Sequence, residues 1–227
     1  MTAIFITATG TDVGKTFVTS GLIRHFLQAG RAVDAIKPVV SGFEPAALET
    51  SDPGALLAAL GRPLTLEQVQ RISPWRFAAP LSPDQAAARQ GRAIDFAAVA
   101  DFCRAAMAAS REHLFIEGIG GIMVPLDASH TVLDLISALR VPLLLVAGSH
   151  VGTISHTLTA LQVVARRNLD VAAIVVSESA GSAACLDETV ATIARFADSI
   201  DVIGIPRLAD TAAGDPAFAR IAQCFAG

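Results

Sequence analysis

Short apolar runs recur along the chain: "AIFITA" from residue 3, "AVDAIKPV" from 32, "HLFIEG" from 113, "VPLLLVAG" from 141, "DVAAIVVS" from 170 and "DVIGIP" from 201. Each is too brief for a helix, and each is followed by a turn and an amphipathic stretch. Runs that are apolar on both faces read as buried parallel strands, and strands fed one after another by helices imply βα crossovers. The expected fold is α/β: a doubly wound, mostly parallel sheet with helices on both faces. At 227 residues, 52% of them hydrophobic, the chain can bury one large core of this kind. No repeat, low-complexity tract or Gly/Ser linker marks a boundary, so one domain over 1–227 is expected.

Between the second and third of these strands lies a long insertion, about 41–111. Pro45, Pro53, Pro63, Pro74, Pro80 and Pro83 interrupt Ala-rich helical segments there, such as "DFAAVADFCRAAMAAS". A segment this long is usually a lid or a partner surface. The net charge of -4 is spread without a Lys/Arg block, so nucleic acid is not an expected partner. Cys103, Cys185 and Cys224 stand far apart and suggest neither a zinc site nor a disulfide framework. The N-terminal "MTAIFITATG" lacks the basic flank of a secretory signal. The most apolar stretch, Val141 to Gly148, falls well below the roughly 18 residues of a membrane span. A cytoplasmic protein without a membrane partner is expected.

The stretch "TATGTDVGKTF", Thr7 to Phe17, follows the first strand and opens a helix in which Val18, Leu22 and Phe26 recur every four residues. It approaches the phosphate-binding pattern G-x-x-x-x-G-K-[ST], with Thr9 in place of the first glycine and Gly10 one residue later. Backbone amides from Asp12 through Val13, Gly14, Lys15, Thr16 and Phe17 are placed to hold phosphate oxygens, which Thr9 does not prevent. Lys15 would reach the outer phosphates, and the Thr16 hydroxyl would ligate Mg2+. The extra lysine of partitioning-type ATPases is missing, since Gly10 occupies its position. "GIGGIM" from Gly118 is not a dinucleotide fingerprint either, because it ends in Met123.

Ligands bind such sheets at the C-terminal edge, where Glu117 ends its strand and Lys37 follows the second one. Glu117 there is a candidate metal ligand, with Gly118, Ile119 and Gly120 letting a nucleotide come close to the backbone. Lys37 is either a cation that neutralises a transferring phosphoryl group or an exposed strand-end lysine. Asp52, in "SDPG", reads equally as a metal ligand or as a helix N-cap ahead of Pro53. Asp12 could cap the helix or face the substrate; so near to phosphates it needs the metal or a cationic substrate to offset repulsion, a pairing that hints at an amine-bearing substrate. His25, His113, His130, His150 and His156 show no ligand spacing and receive no chemical role.

Taken in order, "TDVGKT", "KPVVSG" from Lys37, "SPD" from Ser82, "IEGIGG" from Ile116, "VGTISH" from Val151 and "IPRL" from Ile205 resemble the dethiobiotin synthetase family, over nearly the whole chain. The resemblance implies a P-loop-type fold. It also implies a substrate, 7,8-diaminononanoate, which with CO2 gives a carbamate; ATP phosphorylates it, and the ureido ring then closes with release of ADP and phosphate. It assigns Lys15 and Lys37 to the γ-phosphoryl group, Thr16, Asp52 and Glu117 to Mg2+, and Ser41 and Asp12 to the diamine end. Family members are homodimers with shared active sites, in which a helix N-terminus of the other subunit receives the substrate carboxylate; the matching residues are Gly152, Thr153 and Ile154. Ser155 stands where asparagine is usual, and Asp12 where glutamate is common. For the base, the family commonly offers an asparagine where this chain has Ser177 followed by Glu178, with the backbone of Gly204, Ile205 and Pro206 nearby. The choice among nucleoside triphosphates stays open. A P-loop switch ATPase and a related amide-forming ligase are the competing readings; the close of the chain soon after its last strand is what a self-sufficient enzyme would have.

Overall fold

The computed structural model describes residues 2–207 and 216–225. Its centre is a six-stranded sheet built from β1 (Thr2–Ala8), β2 (Val33–Ile36), β5 (His113–Glu117), β6 (Leu143–Gly148), β7 (Val171–Ser177) and β8 (Val202–Ile205). The strand order is β2-β5-β1-β6-β7-β8, and every pairing is parallel. β5 and β6 are buried at every position, as strands must be when helices cover both sides. The expected doubly wound architecture is therefore the one observed.

After β1 the chain passes through the glycine-lysine loop into α1 (Lys15–Gln28), whose Val18, Leu22 and Phe26 face the core as their spacing predicts. Gly14 takes φ 98 at the helix start and Gly30 φ +70 just beyond its end, a conformation that glycine adopts without Cβ strain. β5 lies on one side of β1 and β6 on the other, so the strand order reverses at β1. This is the crevice where open α/β sheets bind ligands.

The 41–111 insertion is more structured than its proline content suggests. It holds α2 (Asp52–Ala59), α3 (Leu66–Ile72), α4 (Pro83–Ala88) and α5 (Phe96–Ala109). A second, two-stranded parallel sheet joins β3 (Val39–Ser41) to β4 (Trp75–Phe77). These strands of three residues are too short for a period-2 pattern to be read. Ser41 ends β3, so the small sheet is what carries it towards the cavity described below. The remaining helices are α6 (Val132–Leu139), α7 (Thr153–Arg166), α8 (Leu186–Ala194) and α9 (Pro216–Gln223). Among the described residues no helix is long and apolar enough to cross a membrane.

Candidate active site

Sheet register brings the two most buried charges together. Ile36 of β2 pairs with Ile116 of β5, so Lys37 and Glu117, one residue further on, leave the sheet edge side by side. Lys37 Nζ donates to Glu117 Oε1 at 2.6 Å and to the Gly118 carbonyl at 3.3 Å. Lys37 is 2% exposed and Glu117 0%. Asp52, half-exposed at the mouth, approaches the same ammonium with Oδ2 at 2.9 Å. The reading of Lys37 as an exposed strand-end lysine is thereby excluded.

Helix α2 supplies Asp52, but Asp52 does not cap it. Ser51 is the N-cap and accepts from the Gly54 N–H at 3.1 Å, which leaves Asp52 as the first helical residue with its carboxylate turned to Lys37. Thr16, in the first turn of α1, donates its hydroxyl to Glu117 Oε1 at 2.7 Å and stands beside Asp52. Glu117 Oε2 is buried with no hydrogen-bond partner among the described residues.

These contacts set the protonation states. Burial alone would push Lys37 down, but the charges of Glu117 and Asp52 outweigh it and hold its pKa above the ordinary value. For Asp52 burial acts upward, and the attraction of Lys37 with its hydrogen bond, helped by the nearby Thr16 hydroxyl, wins, keeping its carboxyl below the usual range. Lys15 lacks such a partner: burial and the neighbouring Lys37 charge bring it down to about 8. Its ammonium folds back onto the Gly10 carbonyl at 3.2 Å.

A cavity of about 810 Å³ opens over this cluster. Lys15, Thr16, Lys37, Ser41 and Asp52 line it, with Asp12, Gly14, Phe17, Ile119 and Gly120 around them and Pro80 to Pro83 closing one side. Glu117 lies behind Lys37 and Thr16 and does not reach the surface. Asp12 holds φ 56, a conformation uncommon for a residue with a side chain, which is consistent with a loop shaped to converge its amides.

A second cavity, about 520 Å³, shares Asp12, Gly14 and Phe17 with the first and continues past Val13 to the ends of β6, β7 and β8. Of the residues expected there, Ser177 and Pro206 line it; Gly204 and Ile205 stay within β8, Gly204 against α8 and Ile205 wholly buried. The strand-edge backbone is covered by its own ladder and by the Glu178 N–H, which donates to the Ile205 carbonyl at 2.9 Å. His150, Glu178, Ser179 and Arg207 complete the wall. His150 received no role from the sequence, although its place just past the last residue of β6, at the ligand edge, was a usable signal.

Gly118 lines neither cavity; a Cβ there would stand 2.9 Å from the Phe5 ring, so its glycine serves close packing as well as the Lys37 contact. Gly152, Thr153 and Ile154 also line neither. They do begin α7, with Gly152 at φ 97, no side-chain cap, and Thr153 Oγ1 buried without a partner among the described residues. Among the described residues no three His, Cys, Asp or Glu gather around one point. A cation here would rest on two carboxylates and the Thr16 hydroxyl, an all-oxygen set suited to Mg2+ when phosphate oxygens supply the remainder.

A family model described as "AAA domain" matches residues 2–213. The ATP-dependent dethiobiotin synthetase BioD of Acidiphilium cryptum is 47% identical over 78% of this chain and 80% of its own length. That of Caulobacter vibrioides is 44% identical over 94% of this chain and 96% of its own. Among solved structures, the Aquifex aeolicus MinC:MinD cell division complex aligns with a TM-score of 0.57 at 12% identity, over 92% of this chain and 82% of that one. The Pyrococcus furiosus cell division ATPase MinD gives 0.53 at 15% identity, over 91% and 84%. Those structural likenesses establish the P-loop NTPase-like fold alone. The sequence relatives establish more: this chain belongs to the ATP-dependent dethiobiotin synthetase family.

Proposed function

We propose that the chain closes the ureido ring of dethiobiotin from 7,8-diaminononanoate, CO2 and ATP, in the cytoplasm and as a step of biotin biosynthesis. Its substrates are small molecules. An amine of the diamine adds to CO2 and loses a proton, giving a carbamate. A carbamate is a poor electrophile, so one of its oxygens takes the γ-phosphoryl group and ADP departs. The neighbouring amine then attacks the carbonyl carbon, the C–O bond to phosphate breaks, and inorganic phosphate leaves.

There is little covalent chemistry in this for protein side chains to perform; positioning and charge neutralisation carry it. Lys15 and Lys37 neutralise the γ-phosphoryl group as it transfers. The amides of Asp12 to Phe17 hold the phosphates, and Ser41 and Asp12 face the diamine end. Thr16, Asp52 and Glu117 would hold Mg2+, which when bound polarises the phosphoryl oxygens and offsets their charge. The orphaned Glu117 Oε2 and the all-oxygen set of Thr16, Asp52 and Glu117 suit such an ion. The base occupies the second cavity, and the segment 41–111 works as part of the same unit, lending Ser41, Asp52 and Ser82 to one cavity wall. A homodimer would let the N-terminus of α7 in one copy, at Gly152, Thr153 and Ile154, receive the substrate carboxylate of the other, with the Thr153 hydroxyl available since its N–H already donates to the His150 carbonyl at 3.0 Å.

The observation that carries this reading is the convergence of Lys15, Thr16, Lys37, Ser41 and Asp52 on one cavity that continues, past the phosphate loop, into a second of nucleoside size. The test is product formation: purified protein with Mg2+, ATP, bicarbonate and the diamine makes the cyclic urea with one ADP per ring. ATP hydrolysis that proceeds unchanged with or without the diamine, and without ring formation, overturns it in favour of a switch ATPase.

A further inference from the structure

Of the 17 basic residues in the chain only two are lysines, Lys15 and Lys37, and both line the cavity beside the glycine-lysine loop. Lysine carries its charge as a point on a flexible stem, so it exchanges partners more readily than arginine with its planar fork. The two differ in what holds them. Lys15 rests on a neutral group, the Gly10 carbonyl, at 3.2 Å. Lys37 is seated on acids: its Nζ lies 2.6 Å from Glu117 Oε1 and 2.9 Å from Asp52 Oδ2, with the Gly118 carbonyl at 3.3 Å.

Those acids are the ones a divalent cation would need. Glu117 Oε1 already accepts from Lys37 and, at 2.7 Å, from the Thr16 hydroxyl, and Asp52 Oδ2 is turned to the same ammonium. Glu117 and Asp52 bring two negative charges, and Lys37 and Lys15 bring two positive ones that both acids attract. Asp12 is exposed on the loop, where water screens it. The cluster is therefore close to neutral as it stands. A divalent ion added alone would make it strongly positive around a Lys37 that is 2% exposed, where repulsion is poorly screened. A polyphosphate arriving with the ion removes that excess.

We infer that Lys37 takes the place of the divalent ion in the metal-free chain, so that the two compete for Glu117 and Asp52: the ion enters only together with a polyphosphate, and its entry releases the Lys37 ammonium towards the cavity. This rests on the Mg2+ assignment proposed above and deepens it. An ammonium held by two carboxylates has little attraction left for a passing anion. Release on metal entry makes Lys37 available to the phosphoryl group only once nucleotide and ion are both in place.

Mn2+, which takes the same oxygen ligands as Mg2+, reports the competition by electron paramagnetic resonance. Binding to the full chain, to Lys37→Met and to Lys15→Met is measured with and without ADP. Without ADP, Lys37→Met should bind Mn2+ at least about tenfold more tightly than the unaltered chain, and Lys15→Met, which removes a charge but frees neither acid, should gain less. Mg2+ should also return part of the stability that Lys37→Met loses and leave the unaltered chain where it was. Equal gains in the two variants would assign the effect to net charge, and weaker Mn2+ binding by Lys37→Met would make Lys37 a support for the acids; either result overturns the inference.

A second measurement needs no variant of Lys37. With two lysines in the chain, nitrogen-15 labelling of lysine gives two side-chain ammonium signals, which Lys15→Met tells apart. The Lys37 signal should hold its place with Mg2+ alone and with ADP alone, and shift when both are present. A signal that stays while the ion is bound overturns the inference, whether or not Lys37→Met folds. No Mn2+ on the unaltered chain even with ADP would reject the metal site and the competition together. Ring formation from the diamine is scored separately: absence of product with a responsive Lys37 would reject the reaction and keep the exchange.

Discussion

Lys37 Nζ lies 2.6 Å from Glu117 Oε1 and 2.9 Å from Asp52 Oδ2, so one buried cation bridges the deepest acid of the site to the acid at its mouth. The pair is more than a structural tie, because the same ammonium also stands on the wall of the 810 Å³ cavity, where a phosphoryl group would pass. Its raised pKa keeps it charged throughout the neutral range.

Replacing Lys37 should therefore fail in two measurable ways. Lys37→Ala leaves Glu117 buried and unpaired, a change that costs about 3–5 kcal/mol of stability and shows as a lowered denaturant midpoint. Turnover measured on the folded fraction should fall at least about a hundredfold through lost transition-state charge stabilisation. Near-normal turnover with lowered stability would leave Lys37 a structural residue only.

Lys15 makes the opposite trade. Its pKa in the folded chain is brought from 10.5 to about 8, by burial first and by Lys37 second. Between those two values the unfolded chain binds more protons at this residue than the folded one, so this residue's contribution to stability rises with pH across that window. Below about pH 8 the buried charge costs roughly 3 kcal/mol. Lys15→Met should accordingly be more stable than the unaltered chain at pH 7, by up to that amount, with the advantage gone by pH 10.5. Nucleotide binding should move the other way: affinity of the unaltered chain falls as pH rises through about 8, and Lys15→Met binds poorly at every pH. Equal stability of the two proteins at pH 7 and above would show that Lys15 is not desolvated.

What the sequence disclosed and what it hid follow from how local each feature is. The glycine-lysine loop and α1 were legible because strand, glycine loop and apolar period are contiguous. The meeting of Lys37 with Glu117 was not, since it depends on Ile36 pairing with Ile116 across the sheet. Asp52 stayed ambiguous because a cap and a metal ligand look alike in "SDPG"; only the Ser51 bond to Gly54 assigns the cap and frees the acid. β3 and β4 are too short to leave a period, so the insertion read as helices broken by prolines.

Two glycines on either end of α1's first turns should respond to alanine in separable ways. Gly21 faces α9, and a Cβ there would stand 2.1 Å from the Phe218 ring. Gly21→Ala should destabilise by about 1–3 kcal/mol through overpacking, with nucleotide affinity unchanged and partial recovery on adding Phe218→Leu. Gly14 combines φ 98 with the close approach of Ser177, so Gly14→Ala strains the loop itself. It should abolish measurable nucleotide binding, and Ser177→Gly should not restore it, since the backbone strain remains. Recovery by Ser177→Gly would place the whole effect in the side-chain clash.

The start of α7 carries the left-handed Gly152, no side-chain cap and the Thr153 hydroxyl, unpartnered among the described residues, yet it lines neither cavity of its own chain. If a second copy supplies that helix end to each site, two variants broken in different halves must repair one another. Lys37→Ala disables the catalytic half and Gly152→Val, at φ 97, disables the carboxylate half. In a mixture exchanged at equal amounts, about half of the dimers are mixed, and each of those holds one intact site assembled from the two undamaged halves. Activity should recover to about a quarter of the unaltered level from two parents that have almost none. Light scattering on the same sample should report twice the mass of one chain. A monomeric mass, or a mixture as inactive as its parents after verified exchange, would mean that each chain binds its substrate alone.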